Sequence, residues 1–419
     1  MKERLVWNGL GLLVFLFCLS GERLCSETPV ASKSLPNPAE RLFYHSAPSL
    51  PGSMMKEQHR YTIPSALVLD DGMRLGRPEM WFEKKRPELI RHWTKILGKL
   101  APTEADQKWF GDIRDVVIHN SEERDGYTRI HLSLPIESDF LQPHLLLLPK
   151  DQGPGPFPAV IAWTSTSPNY MKPEEWWGAW LAKRGYVVLT GWSFIRHYRE
   201  GKSYRDNVNE MVYERFGHWL PMAKMVHDVR RESDYLATLP QVDSERLGFI
   251  GFSLSAKAAL YVAAFAPQIK ATVAVDPHLA LHGDSNYHDP WYLDWKHRFD
   301  SIDTSEYPIP ELRGTVWSLL DADPARPGFE RNHHELMALC APRSLMIIGC
   351  SMDKMRSPHS DNLQSWSYFN RAQEVYEFLG LSDRIEFVVT NEGHQATSPK
   401  TDVEWQRFFE RWLKMDPAE

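Results

Sequence analysis

The stretch "RLGFIGFSLSAKAALYVAA", residues 246–264, changes character at its centre. Up to Phe252 it is a short apolar run suited to a buried strand. From Leu254 it is rich in Ala and Leu, which favour helix. Ser253 falls at the junction, with Gly251 two places before it and Ser255 two places after it. The pattern is G-x-S-x-G with its last glycine replaced. A serine on a strand-to-helix turn reads as a nucleophile held out for attack. The alternative is a serine that caps the helix.

Outward from this junction the chain alternates strand and helix. The runs "AVIAW", "YVVLTGW", "RLGFIGF", "ATVAVD", "SLMIIG" and "IEFVVT" are short and β-branched, as in a parallel sheet buried on both faces. Helical patterns separate them: "PEEWWGAWLAKR", "HWLPMAKMVHDVRRESDYLATL", "LSAKAALYVAAFA", "WSYFNRAQEVYEFLG" and "TDVEWQRFFERWLK". The alternation predicts an α/β fold with a mostly parallel central sheet flanked by helices. Before it, "DVVIHN", "TRIHLSLPI" and "HLLLLPK" read as antiparallel strands. Further upstream, Phe82, Leu89, Trp93, Ile96, Leu97 and Leu100 recur at helical spacing, which predicts an amphipathic helix against the main body. The break from about Pro277 to Glu330 carries many aromatics, Asp and His without a period, and is a candidate lid or substrate wall.

A serine hydroxyl barely ionises at neutral pH, so acyl transfer needs a base beside it and donors for the oxyanion. "IEFVVTNEGHQAT" places His394 in a polar loop after the last strand, where an imidazole can reach back to Ser253. Asp353, a few residues after the preceding strand, is the first candidate for the acid that orients it. Asp276, ending "ATVAVD", is the second. The backbone N–H of Leu254 is the first expected oxyanion donor. The loop "AWTSTSP" supplies the other, with Thr164 chosen from Trp163, Thr164 and Ser165.

Charge and composition exclude several classes. The chain has 419 residues, a net charge of −7 and 42% apolar residues, ample for a large core. Charges are interspersed, and the one dense basic run, "EKKRPELIRH", sits on the amphipathic helix, so nucleic acid is not the expected partner. Lys2 and Arg4 precede an apolar core from about Leu10 to Leu19, the layout of a secretory signal peptide over residues 1–26. Export to the outside or the periplasm follows, with no membrane insertion after cleavage, since the run is short for a span. Residues 27–114 read as a Pro- and Ser-rich tether plus helical extension, and 115–419 as the catalytic domain. Cys340 and Cys350 flank "APRSLMIIG"; about six extended residues span roughly 20 Å. A disulfide needs Cα atoms within about 7 Å, so the pair is expected reduced.

With these residues in place the chain resembles the α/β-hydrolase superfamily, in its secreted branch of acetyl xylan esterases, glucuronoyl methylesterases and dienelactone-hydrolase-like proteins. The resemblance covers about residues 115–415. It rests on "HLLLLPK", "RGYVVLTGW", "HDVRRESDYLATLPQVDSERLGFIGFSLSAKAAL", "HELMALCAPRSLMIIG" and "NEGHQA". It implies the α/β-hydrolase fold and hydrolysis of acetyl or methyl esters on a small-molecule or polysaccharide substrate. It also implies a Ser-His-Asp triad with an acyl-enzyme and no cofactor or metal. Glucuronoyl methylesterases carry a lysine four places after the serine, as Lys257 is here, and an arginine immediately after it, where this chain has Leu254. Lys257, Trp163 and His278 are candidate substrate contacts, although a lysine at that place is more often solvated or paired.

Trp176, Trp177 and Trp180 offer flat faces for sugar rings, though packing suits most of them better. His278, His282 and His288 cluster with Asp276, Asp284 and Asp289 without matching a metal-ligand spacing. His333 and His334 open a helix and resemble a recurrent family feature. Two rivals remain: a prolyl-oligopeptidase-type peptidase, which shares the triad order, and an inactive hydrolase fold that binds glycans or protein, supported by the altered turn. Only about 110 residues precede the core, too few for the propeller of such a peptidase.

Overall fold

Each β-branched run forms the expected strand in a computed structural model of the chain. The structure describes residues 63–165, 169–192, 212, 214–277, 305, 332–350, 362–390 and 392–414. The strands are β1 (Val117–Arg124), β2 (Tyr127–Glu137), β3 (Phe140–Pro149), β4 (Phe157–Trp163), β5 (Val187–Gly191), β6 (Val242–Phe252), β7 (Ile269–Val275), β8 (Ser344–Cys350) and β9 (Ile385–Thr390). They make one nine-stranded sheet in the order β1-β2-β3-β5-β4-β6-β7-β8-β9. The β1–β2, β2–β3 and β3–β5 pairs are antiparallel, and every later pair is parallel.

The helices are α1 (Arg86–Leu97), α2 (Ala179–Ala182), α3 (Pro221–Ala237), α4 (Leu254–Phe265), α5 (His333–Leu339), α6 (Asn362–Phe378) and α7 (Pro399–Phe409). Alternate residues of the parallel strands serve opposite faces. Ala159, Ile161, Phe249 and Ile347 pack with side chains of α1, α3, α4 and α5. Val160, Ala162, Ile250, Val273 and Ile348 pack with Trp177, Leu181, Trp405, Phe408 and Phe409 on the other face. The near-continuous apolar runs of these strands are therefore what a sheet covered on both sides requires. This is the α/β-hydrolase architecture.

The amphipathic helix is present, but its first turn differs from a plain 3.6-residue reading. A π-helical turn, Trp81–Lys85, leads into α1. The wider turn shifts the phase, so Trp81 is buried while Phe82 is exposed. Farther along, Trp93 reaches the core between helices. Its indole N–H donates to Glu335 of α5 at 2.8 Å, and its ring meets Tyr261 of α4 edge-on at 6.0 Å. Cys340 is a buried free thiol, as expected for a reduced chain. The insertion from about 277 to 330 lies outside the described residues, Pro277 and Ser305 excepted. Among the described residues no helix is long and apolar enough to cross a membrane.

Charged groups on α3 are enclosed under β2. Lys224 is wholly buried, with its ammonium 2.5 Å from Asp228 and 2.9 Å from Glu137. One turn away, His227 packs against Phe110 (4.7 Å) and Trp219 (5.5 Å). Its Nε2 has no hydrogen-bond partner among the described residues. Burial, with Lys224, Arg231 and Arg230 nearby, pushes this imidazole down to about 2. A histidine depressed in the fold contributes stability above its unfolded value of about 6.5, and loses it as pH falls. Denaturant unfolding of the wild type should therefore weaken by up to about 1.4 kcal/mol per pH unit below 6.5 from this group. His227→Phe should remove that part of the slope; identical slopes for the two proteins would show the imidazole is not the cause.

Candidate active site

Ser253 follows β6 directly and begins α4 with φ +56° and ψ −112°. A β-carbon makes positive φ costly, so the surroundings must hold this turn in place. Two features do so. The Ser253 N–H donates to Val275 O at the end of β7, 3.0 Å away. Gly251 supplies room, since a Cβ there would lie 2.4 Å from Ser255 O. The serine makes no side-chain cap to α4, so helix capping does not account for it. The Ser255 side chain replaces the last glycine without disrupting the turn. It is fully buried, and its hydroxyl donates to the Thr164 carbonyl just beyond β4.

His394 reaches back from the loop after β9, and its Nε2 lies 3.0 Å from Ser253 Oγ. Its Nδ1 meets a carboxylate oxygen of Asp276 in a short hydrogen bond. The ring also lies against Phe252, with centroids 4.6 Å apart. Asp353, the first candidate, falls outside the described residues; Asp276 is the carboxylate on this histidine. The reason is strand order. β7 adjoins β6, so the first residue past β7 stands beside the Ser253 turn. Asp276 is held there at φ +56°, 1% exposed, with its N–H 2.6 Å from Ile348 O of β8. A hydroxyl, an imidazole and a buried carboxylate in this line can pass a proton from oxygen to nitrogen while the carboxylate steadies the imidazolium.

The oxyanion side needs one correction. The Thr164 N–H donates to Gly191 O at 3.0 Å, extending the β4–β5 ladder by one rung, so it is not available to a substrate. The next amide, Ser165, is the first beyond the ladder, at a residue 9% exposed. Leu254 is the first residue of α4, where amides have no intrahelical acceptor.

Other candidates separate clearly. Trp163 is wholly buried, and its indole N–H donates to Glu232 at 2.8 Å, so its side chain is part of the core and not a substrate contact. Lys257 is 2% exposed, not solvated, one turn into α4. Trp177 is buried, and Trp176 packs edge-on against Phe252 at 5.8 Å. Trp180 meets Trp405 at 5.2 Å and carries the Arg184 guanidinium 3.9 Å from its ring centre. His333 and His334 are buried, with His333 Nε2 3.2 Å from the Tyr261 hydroxyl. His278, His282 and His288 lie outside the described residues. Among the described residues, Asp70, Glu88 and His92 bring ligand atoms within 4.8 Å of one another. Glu88 already accepts from Lys85 at 2.5 Å, and Asp70 meets His92 at 2.5 Å.

Sequence reasoning missed His144. It is fully buried on β3, with Nδ1 2.7 Å from Gln142 O and Nε2 2.9 Å from Glu232. A carbonyl only accepts, so Nδ1 carries hydrogen and the Nε2–carboxylate contact needs a further proton. Burial raises the Glu232 carboxyl above the usual range. The pair backs Trp163 at the end of β4. Its signal is a polar residue at the head of the apolar run "HLLLLPK".

Two family models match the chain: "Glucuronyl esterase, fungi" over residues 222–380 and "Dienelactone hydrolase family" over 144–290. No curated protein matches. Solved structures agree in fold. A glucuronoyl esterase from Solibacter usitatus superimposes with TM-score 0.60 at 18% identity, covering 85% of this chain and 98% of that one. A carbohydrate esterase family 15 glucuronoyl esterase from Caldicellulosiruptor kristjansonii gives 0.55 at 19%, covering 86% and 93%. The catalytic domain of the Hypocrea jecorina glucuronoyl esterase gives 0.53 at 17%, covering 85% and 91%. The protein is an α/β hydrolase. Within that class, the matching family models make it a carboxylic ester hydrolase.

Asp276→Asn should leave the fold intact and lower kcat by about 10⁴-fold, as loss of the orienting carboxylate does elsewhere. Asp353→Asn should retain activity. Measuring kcat/KM for both variants decides the acid: the reverse pattern would restore Asp353.

Proposed function

We propose that the protein is a serine esterase acting on acetyl or methyl esters of carbohydrates, with Ser253 as nucleophile, His394 as base and Asp276 as the orienting acid. The observation that carries this reading is His394 Nε2 at 3.0 Å from Ser253 Oγ with Asp276 on its other nitrogen. Ser253 Oγ attacks the ester carbonyl as His394 takes its proton. The N–H groups of Leu254 and Ser165 receive the oxyanion. Collapse of the tetrahedral intermediate expels the alcohol, which takes the proton from His394 and leaves an acyl-enzyme. Water then attacks the acyl carbon, giving a proton to His394. Ser253 leaves with that proton, and the carboxylic acid is released.

The carbohydrate assignment rests on the glucuronyl esterase model and its spread over α3 to α6. Leu254 in place of arginine leaves the oxyanion to backbone donors. Lys257 and residues of the 277–330 insertion are the proposed contacts that choose the acyl group and polymer. Export through residues 1–26 fits a polysaccharide substrate outside the cell. No metal or organic cofactor enters these steps.

A fluorophosphonate should label the wild type and not Ser253→Ala, which should lose about 10⁴-fold or more in kcat on p-nitrophenyl acetate. Acetylated xylan or a methyl glucuronate should be cleaved faster than peptides. A folded wild-type protein without label would overturn the esterase reading, and faster peptide turnover would replace it with a peptidase.

A further inference from the structure

We infer that Ser255, which replaces the last glycine of the usual turn, is a positioning residue that aims the second oxyanion donor. The inference rests on the proposed esterase mechanism. The fully buried Ser255 hydroxyl donates to the Thr164 carbonyl, directly joining the nucleophile's helix to the loop after β4. The Thr164–Ser165 peptide is trans, so its C=O and N–H point in opposite directions in one plane. Holding the carbonyl against Ser255 therefore fixes the direction of the Ser165 N–H as well.

The peptide before it is fixed as well. The Thr164 N–H is bound to Gly191 O at 3.0 Å, and the Trp163 indole is bound to Glu232 at 2.8 Å. Beside those anchors and the Thr164 hydroxyl, 3.4 Å from Ser165 O, the Thr164 carbonyl is a further handle on the orientation of the Ser165 amide. A glycine at 255 offers no hydroxyl to grip it. The departure from G-x-S-x-G thus adds a link between nucleophile and oxyanion loop that the consensus turn lacks.

The consequence is differential. A misaimed donor weakens the hydrogen bond to the developing oxyanion more than it weakens ground-state binding. Ser255→Gly and Ser255→Ala test it, and the glycine variant restores the consensus turn, so folding is not at stake. Both should lower kcat on p-nitrophenyl acetate by about 10- to 100-fold, below the cost of deleting a donor outright, with KM and melting temperature little changed. The carbonyl stretch of the acetyl-enzyme trapped at low pH should move to higher wavenumber in both, since its hydrogen bonding is weaker. Wild-type kcat in both variants, or an unmoved carbonyl band, overturns the positioning role while leaving the esterase intact. Failure of the wild type to acylate overturns the esterase reading and this inference together.

Discussion

The site depends on a backbone held where a β-carbon resists it. Ser253 occupies a positive-φ conformation that costs on the order of 1–3 kcal/mol and persists only where neighbours over-determine it. Here the neighbours are a sheet hydrogen bond to β7, a glycine without which the turn would collide with Ser255, and a helix whose every residue is buried. The side chain is thereby lifted off the sheet's edge toward His394. Asp276 has the same kind of backbone one strand over, and its amide is bound to β8 in the same manner as the Ser253 amide is to β7. Two strained residues at the ends of adjacent parallel strands thus define the distance that the imidazole bridges.

Much of this arrangement is legible in the sequence. Each parallel strand is a short apolar run whose alternate residues face two covered sides, so its position is marked twice. The junction at Ser253 shows as a change of period, and His394 shows by following the last strand. The acid is harder to read because Asp276 and Asp353 both follow strands; only the spatial order puts β7 next to β6. The Thr164 amide is hard to read for a related reason, since one more rung of sheet pairing leaves no trace in composition. Phe82 exchanged places with Trp81 because a π-turn shifts the helical phase.

His144, Glu232 and Trp163 show a different limit. Each belongs to a separate element, and nothing local marks them as partners. Their burial is tolerable because the histidine and carboxyl can share a proton and the indole fills the remaining acceptor. The result is a polar group inside the core that fixes the end of β4 from behind. Rigidity at the active-site loop is thus supplied from the far side of the sheet's edge.

The placement of Trp93 has a consequence for how such a protein can be assembled from parts. The residues before β1 look like a leader to a self-sufficient domain, yet Trp93 sits between α4 and α5, bonded to Glu335 and packed on Tyr261. The helix that bears Ser253 at its start is therefore walled by a segment more than 150 residues upstream in the chain. Recombination that transplants the sheet alone would carry the reactive groups and leave α4 open to water. The core that encloses α4 therefore reaches back through α1 to Ile63, well ahead of the first strand.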